Sequence, residues 1–182
     1  KAEVTINGVT EEKYYGEEIK APTETPDGDP GYEFDKWVDE NGDEVTFPVI
    51  VGNDPIVIEP TFKPETDTEY IVEIYEMGLN GEYGEPVETI TKTGTTDTEA
   101  TYTPAVKEGF TADAESYTTV IKADTSDTIK VYYSRNKVNV TIDDKTEEKY
   151  YGEEITEPTE TPDGDPGYEF DKWVDENGDE VI

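Results

Sequence analysis

Apolar and polar residues alternate in short runs along much of the chain, and this pattern predicts β-strands. The clearest run alternates Val138, Val140 and Ile142 with Asn139 and Thr141. Similar runs predict further strands at residues 3–6, 14–19, 56–58, 61–62, 70–75, 87–93, 117–121 and 128–133. Each run covers only a few residues, so the chain is predicted to consist of short strands joined by turns.

Turn-forming residues separate the predicted strands. Asn41-Gly42 follows strand-like residues 37–38 and predicts a type I′ hairpin turn. The Pro-, Asp- and Gly-rich stretch 22–31 predicts an interruption of regular structure. Residues 98–106 are predicted to form a short helix or an irregular crossover.

A long internal repeat organises the chain. Residues Val4–Val45 recur as Val140–Val181 at a constant offset of 136, with five differences in 42 aligned positions. The segment between the two copies has a different sequence. The repeat therefore predicts three modules in the order A (1–63), B (64–136) and A′ (137–182).

The second copy is shorter than the first. Module A′ has no counterpart of Phe47–Lys63, which includes the predicted strands at 56–58 and 61–62. A sheet that lacks these strands exposes an unpaired edge. We therefore expect A′ to be less ordered than A, or its edge to be covered by another chain.

The composition favours a folded, mainly β protein. The chain has 26 Thr, 16 Val and 13 Ile but a single Leu, and β-branched residues prefer strands. Tyr, Phe and Trp add large apolar side chains, and Trp37 and Trp173 are predicted to lie in module cores. We predict small β modules with at most a short helix each. The short predicted linkers favour an elongated, tandem arrangement.

Charge and missing residue types exclude several functions. The net charge is −33, and the chain contains neither His nor Cys. Zinc sites built on these residues, Cys nucleophiles and His-based triads are therefore excluded. Nucleic acid is a poor partner because its phosphates require a cationic surface. No apolar run reaches the roughly 20 residues of a membrane span.

Paired carboxylates are the one catalytic arrangement that the composition allows, as in glycosidases. With 47 acidic residues, close pairs arise by chance, and modules of this size leave little room for a deep cleft. We predict that the chain is not an enzyme. Its charge is spread as −11, −10 and −12 over A, B and A′, an even acidic coat that favours solubility.

The acidic segment 39–44 is a weak candidate for calcium. Asp39, Asn41 and Asp43 offer oxygen ligands at alternate positions. An EF-hand loop needs Gly at its sixth position and Glu at its twelfth, where this chain has Glu44 and Ile50. A hairpin turn explains the segment without a metal, and no other cofactor is expected.

Adjacent tyrosines are the candidate ligand contacts. Alternation along a strand points neighbouring side chains to opposite faces, so one ring of each pair is predicted to be exposed. The pairs are Tyr14-Tyr15 and Tyr132-Tyr133. An exposed aromatic ring is a candidate contact surface.

Module A resembles the Listeria–Bacteroides repeat, also called the internalin B-repeat. The resemblance rests on Tyr15-Gly16 before a Pro-containing segment and on Gly31-Tyr32-Glu33-Phe34-Asp35-Lys36-Trp37. It covers all of A and most of A′. The family usually closes on a strand with a second Trp, whereas Thr61-Phe62-Lys63 stands here, and the acidic loop 25–31 is expanded.

Module B is similar to the mucin-binding repeats of Gram-positive surface proteins. The matching residues are 70–75, Glu108-Gly109-Phe110 and the closing 131–136. Both resemblances imply small β-grasp-like modules in extracellular, cell-wall-associated adhesins, with no catalytic residue. The expected function is a stalk or spacer segment that contacts neighbouring repeats. The alternative is a binding module for host glycoprotein or glycan, through module B or the A–B junction.

Overall fold

The computed structural model describes residues 1–124 and 126–181. The described residues form fourteen β-strands, and no helix occurs among them. The prediction of a mainly β chain is thus confirmed. The short helix considered for residues 98–106 is wrong, because Glu99–Tyr102 is a strand that pairs with Tyr117–Val120. In the described part of the chain, no helix is long and apolar enough to cross a lipid bilayer.

Module A is built on a four-stranded sheet with strand order β2-β1-β6-β4. Its first strand, β1, is parallel to its last strand, β6, which lies between β1 and β4. A small second sheet pairs β3 with β5. The strands are β1 (Ala2–Ile6), β2 (Val9–Lys13), β3 (Glu18–Ile19), β4 (Tyr32–Asp39), β5 (Val49–Ile50) and β6 (Ile56–Pro64).

The core of module A includes residues from the C-terminal part of its sequence. Val4 and Ile19 pack with Val51 in one buried cluster, against which Phe47 and Ile56 also pack. The segment Phe47–Pro64, which we call the closing segment, contributes the last three of these residues together with β5 and β6. Trp37 is buried, as predicted. Removal of these apolar side chains from water stabilises the module.

The first hairpin differs from the prediction. The strand predicted at 14–19 as the partner of β1 is wrong in extent and pairing: β1 pairs with β2 (Val9–Lys13), Tyr14-Tyr15 lies in the following turn, and only Glu18–Ile19 is a strand, β3. Asn7 and Gly8 have φ of 48° and 73°, as both central residues of a type I′ turn require. An Asn-Gly pair therefore does form a type I′ turn, but it is the pair after β1 and not the pair at 41–42 after β4.

The turn after β4 is a hairpin connection of a different type from the one predicted. Val38 bridges to Glu44, and the Val45 amide donates to the Trp37 carbonyl over 2.9 Å. Gly42 has a φ of 86°, but Asn41 does not have the positive φ that a type I′ turn needs. The loop is longer than two residues.

Module B repeats the topological principle of module A with a different sequence. Its sheet has the order β10-β12-β7-β8, the first strand is parallel to the last, and β9 forms a separate two-stranded antiparallel sheet with β11. Its core contains Tyr70, Val72, Ile129, Val131 and Tyr133. The strands are β7 (Thr68–Glu76), β8 (Glu88–Gly94), β9 (Glu99–Tyr102), β10 (Phe110–Ala112), β11 (Tyr117–Val120) and β12 (Thr128–Arg135).

Module A′ retains only part of the fold of module A. Its two strands, β13 (Lys137–Ile142) and β14 (Lys145–Tyr150), form a hairpin in the register of β1 and β2. Within the described residues, β13 has no strand on its other side. Residues 154–155 and 168–175, the counterparts of β3 and β4, form no paired strand beyond the Val174–Glu180 bridge. The expected unpaired edge and lower order of A′ are confirmed.

Candidate functional site: the module junctions

Tyr14 and Tyr15 are both exposed, with 67% and 72% of their surface accessible. The pair was predicted to point its rings to opposite faces of a strand, with one ring exposed; both rings are exposed because the pair lies in a turn and not in a strand. The turn is held by the Glu17 carboxylate, which accepts a hydrogen bond of 3.0 Å from the Tyr14 amide. A turn does not impose the alternation of faces on which the prediction depended.

Tyr132 and Tyr133 do alternate, but neither ring is freely exposed. Tyr133 is buried, its hydroxyl donates to the Ala105 carbonyl over 2.7 Å, and burial raises the pKa of this phenol. Tyr132 is half-buried and stacks on Tyr75 with 4.9 Å between ring centroids, while Tyr83 meets it edge-on at 5.0 Å. These rings stabilise module B.

In the acidic turn of module A, the carboxylate of Asp39 is hydrogen-bonded to the backbone of the turn. Asp39 Oδ1 accepts hydrogen bonds from the amides of Asn41 and Asp43 at 2.9 and 3.0 Å. Among the described residues, no three acidic side chains are grouped so that they could hold a metal ion. The candidate calcium oxygen of Asp39 therefore already has backbone partners.

The hydrogen bonds of Asp39 predict how the stability of this turn depends on pH. The hydrogen bonds from the Asp43 and Asn41 amides lower the pKa of Asp39 below its ordinary value. A lowered folded-state pKa means that the turn is fully stabilised above the ordinary Asp pKa of about 3.9 and loses this stabilisation as pH falls through the folded value. An NMR titration of the Asp43 amide is expected to show a midpoint below about 3.9.

The second copy of the turn supplies the matched control. Asp175 accepts the corresponding bonds from Asn177 and Asp179, and its pKa is lowered for the same reason. The Asp179 amide is therefore expected to titrate in the same range. A midpoint at or above about 3.9 for either amide would contradict the assignment.

The junction between B and A′ is a single residue long. Asn136 lies between the end of β12 and the start of β13. Its amide donates to the Gly109 carbonyl over 2.9 Å, and its carbonyl accepts from the Tyr151 amide over 2.8 Å. Its side-chain oxygen accepts from the Thr111 hydroxyl over 2.7 Å. The linker is thus bonded to both modules.

Arg135, the only arginine of the chain, spans the same junction. Its Nε donates to the Met77 carbonyl in module B and its Nη1 donates to the Tyr151 carbonyl in A′, both over 2.9 Å. Its guanidinium lies 4.6 Å from the centroid of the Phe110 ring. A planar fork can make all three contacts at once, which a lysine ammonium could not.

Gly109 allows the two modules to approach closely. It has a φ of 75°, and a Cβ at this position would overlap the ring of Tyr151. Tyr150 lies beside module B as well, because its hydroxyl would meet a Cβ on Gly81 at 3.0 Å. Tyr150 and Tyr151 of A′ therefore both pack against the glycine-containing loops of module B.

The A–B junction is built in a similar way from other residues. The Glu65 amide donates to the Gly31 carbonyl over 2.8 Å, and the Glu65 carbonyl accepts from the Thr96 amide over 3.0 Å. The Tyr32 hydroxyl donates to the Asp97 carboxylate, and this bond raises the pKa of Tyr32. Module A thus contacts module B through the loop and strand that surround its Gly-Tyr motif.

Gly31 is the point of closest approach between A and B. A Cβ on Gly31 would lie 2.6 Å from the Cβ of Ala123 and 2.9 Å from Oγ1 of Thr96. Its copy Gly167 has a similar positive φ but no atom within 4 Å of a Cβ placed there. Among the described residues, Gly31 therefore meets a neighbouring module and Gly167 does not.

The exposed tyrosines of A are the counterparts of junction residues. Tyr14 and Tyr15 correspond to Tyr150 and Tyr151 at the offset of 136. Tyr151 is 37% exposed because it packs on module B, whereas Tyr15 is 72% exposed. A ligand contact of Tyr14 and Tyr15 stays a prediction, whereas their copies Tyr150 and Tyr151 contact a neighbouring module.

The sequence analysis missed the residues that build the junctions. Gly31, Gly109, Arg135 and Asn136 were assigned to motifs or linkers, and none was predicted to contact a neighbouring module. The solitary arginine in a strongly acidic chain was the available signal. Searches for related sequences add nothing to this picture: no protein-family model matches the chain, and no curated protein matches it.

Proposed function

We propose that this chain is a non-catalytic spacer segment, a stalk of tandem modules in an extracellular surface protein. The observation that supports the proposal most directly is the path of the backbone. β6 leads into β7 through three residues, and β12 leads into β13 through one. β6, β7 and β12 each have a strand on both sides, so the chain passes from the interior of one sheet into the next module.

The junction contacts give these short links a defined geometry. Glu65 and Asn136 are each bonded to the modules on both sides, and Arg135 and Tyr32 add side-chain contacts. Short linkers whose backbone groups are already paired restrict the angles between neighbours. An even negative charge keeps near-identical repeats soluble and apart. The resemblance to repeats of Gram-positive surface proteins is consistent with this role and with a location at the cell wall.

Small-angle scattering from chains with increasing numbers of A–B pairs tests the spacer proposal. We expect the maximum dimension to rise nearly linearly with the number of pairs, because each junction fixes the direction of the next module. A chain with Arg135→Ala and Tyr32→Phe, which loosens both junctions, serves as the matched control and is expected to be shorter on average. Compact particles whose size grows with the cube root of chain length would refute the proposal.

The alternative, a contact with host glycoprotein or glycan, has lost part of its support. Tyr133 is buried, and Tyr132 stacks on Tyr75 and meets Tyr83 edge-on. Tyr14 and Tyr15 are exposed, and their contact with a glycan stays a prediction. A glycan array probed with the intact chain and with a Tyr14→Ala, Tyr15→Ala variant would distinguish it from the spacer role.

A further inference from the structure

Module A has an open groove between its acidic turn and its closing segment, which we call the turn groove. Its volume is about 340 Å³. Six of the residues that line it are apolar, namely Val45, Val49, Pro55, Ile56, Val57 and Ile58. Ligand pockets in proteins have volumes of about 300–1,000 Å³, so the turn groove has room for one or two side chains of a partner.

The apolar floor of the turn groove is part of the folded module. Ile58 is almost completely buried, and Val49 and Ile56 pack against the core cluster of module A. Ile56 and Ile58 belong to β6, which has a strand on each side. The floor is therefore formed before a partner arrives, and a preformed site lowers the cost of binding.

The charged residues of the turn groove are all acidic. Asp39, Glu40 and Glu44 line it, and no lysine or arginine does so in the part of the chain that the structure describes. The amides of Asp43 and Asn41 fix the Asp39 carboxylate and lower its pKa, so this group is ionised at neutral pH. Carboxylates beside an apolar floor are complementary to a partner that carries both apolar side chains and positive charge.

A lysine of the chain already approaches this acidic rim from outside the groove. Lys36 Nζ lies 3.6 Å from the Glu44 carboxylate, and both side chains are exposed. Exposed ion pairs of this kind contribute little to stability. A cation of a partner can therefore replace Lys36 at Glu44 with little loss.

Two other grooves of modules A and B do not have this charge. The groove beside β2 and β3 is lined by two acidic and two basic side chains, which are Glu11, Glu18, Lys13 and Lys20. The groove beside β10 is lined by one side chain of each sign, Glu115 and Lys107. Because their charges balance, neither groove selects the sign of charge on a partner, whereas the turn groove does.

The charge of the whole chain acts in the same direction. A net charge of −33 attracts cationic molecules and raises the rate at which they reach the surface. A second copy of the chain is a poor partner, because it is equally acidic and most of its lysines already pair with its own carboxylates. The partner is therefore a different, basic molecule.

We propose that the turn groove is a docking site for a basic amphipathic peptide in which apolar side chains alternate with lysine or arginine. One or two apolar side chains of the peptide enter the groove against Val49 and Ile56. The flanking cations lie at Asp39, Glu40 and Glu44. This site is additional to the spacer role and does not depend on it, since the groove lies within one module.

NMR titration of the intact chain with three short peptides tests the proposal. The probe alternates three lysines with two isoleucines and is acetylated and amidated at its ends. We expect it to shift the amides of Val45, Val49 and Ile56 with a Kd below about 1 mM. A peptide with serines in place of the isoleucines is expected to bind about tenfold more weakly or less tightly still, because it buries no apolar side chain. A peptide with glutamates in place of the lysines is expected not to bind.

Two pairs of substitutions separate the acidic rim from the overall charge. Glu40→Gln with Glu44→Gln removes two exposed charges from the rim, and we expect the probe to bind about fivefold more weakly, since an exposed ion pair contributes roughly two- to threefold. Glu3→Gln with Glu24→Gln removes two exposed charges of module A outside the groove and is the matched control. We expect it to change binding less than about twofold.

Several results would overturn the proposal. They are the absence of amide shifts in the turn groove at about 5 mM probe, and larger shifts in another part of the chain. Equal binding by the serine peptide, or equal weakening by the two pairs of substitutions, would show that the general acidity of the chain attracts the probe. None of these results bears on the scattering experiment, so the two proposals fail separately.

Discussion

Ile58→Ala is expected to destabilise module A by about 2–5 kcal/mol, the range found for large-to-small substitutions in protein cores. Ile58 is almost completely buried, and β6, to which it belongs, joins β1 to β4. The substitution leaves a cavity at the point where all three strands meet. Module A should then approach the state of A′, in which the counterpart of β4 forms no paired strand.

The measurement uses the indole of Trp37 as a reporter of module A. In a Trp173→Phe background Trp37 is the only tryptophan, and its fluorescence follows urea unfolding of module A. Ile50→Ala is the matched control, because Ile50 belongs to the same closing segment but is exposed, and its effect is expected to stay within about 0.5 kcal/mol. Equal effects of the two substitutions would show that β6 does not hold the module together.

Gly31→Ala is expected to open the A–B junction, whereas Gly167→Ala is not. Both positions have a positive φ, so both substitutions cost about 1–2 kcal/mol in backbone strain. Only at Gly31 does the new Cβ collide with Ala123 and Thr96, and overpacking of this kind costs a further 1–3 kcal/mol, roughly. The difference between the two variants therefore isolates the contact between modules.

Hydrogen exchange at two junction amides measures this effect. The amides of Glu65 and Thr96 donate to Gly31 and to Glu65 across the junction. In the Gly31→Ala chain we expect their protection to fall about tenfold or more, since 1.4 kcal/mol corresponds to a factor of ten. In the Gly167→Ala chain their protection should be unchanged. A similar loss in both variants would mean that backbone strain alone accounts for the change.

Features encoded by neighbouring residues were predictable from the sequence. The strands of module B at 70–75, 87–93, 117–121 and 128–133 lie within or overlap β7, β8, β11 and β12. The alternation is clearest in β7 and β12, because one face of each of these two strands is buried. By contrast, β2 was missed. Val9–Lys13 is exposed at four of its five positions, and because it has no buried face its sequence does not alternate between apolar and polar residues.

Features that depend on distant parts of the chain were not predictable in the same way. The parallel pairing of β1 with β6 joins residues 52 positions apart. The sequence of neither strand identifies the other as its partner. The junction residues lie in loops whose contacts are made with a different module, so the loop sequences alone do not show them. Gly31 and Gly167 are identical in sequence context, yet only one meets a neighbour. The repeat did predict correctly that, within the described residues, β13 has a strand on one side alone.

The parallel pairing of first and last strands has a consequence for a chain held under tension. A pull on the two ends of module B draws β7 and β12 in opposite directions along their ladder, so its six residue pairs bear the force together. A hairpin peeled from one end would release its bonds one at a time. The ladder between β1 and β6 has three pairs, so module A is expected to yield at a lower force than module B.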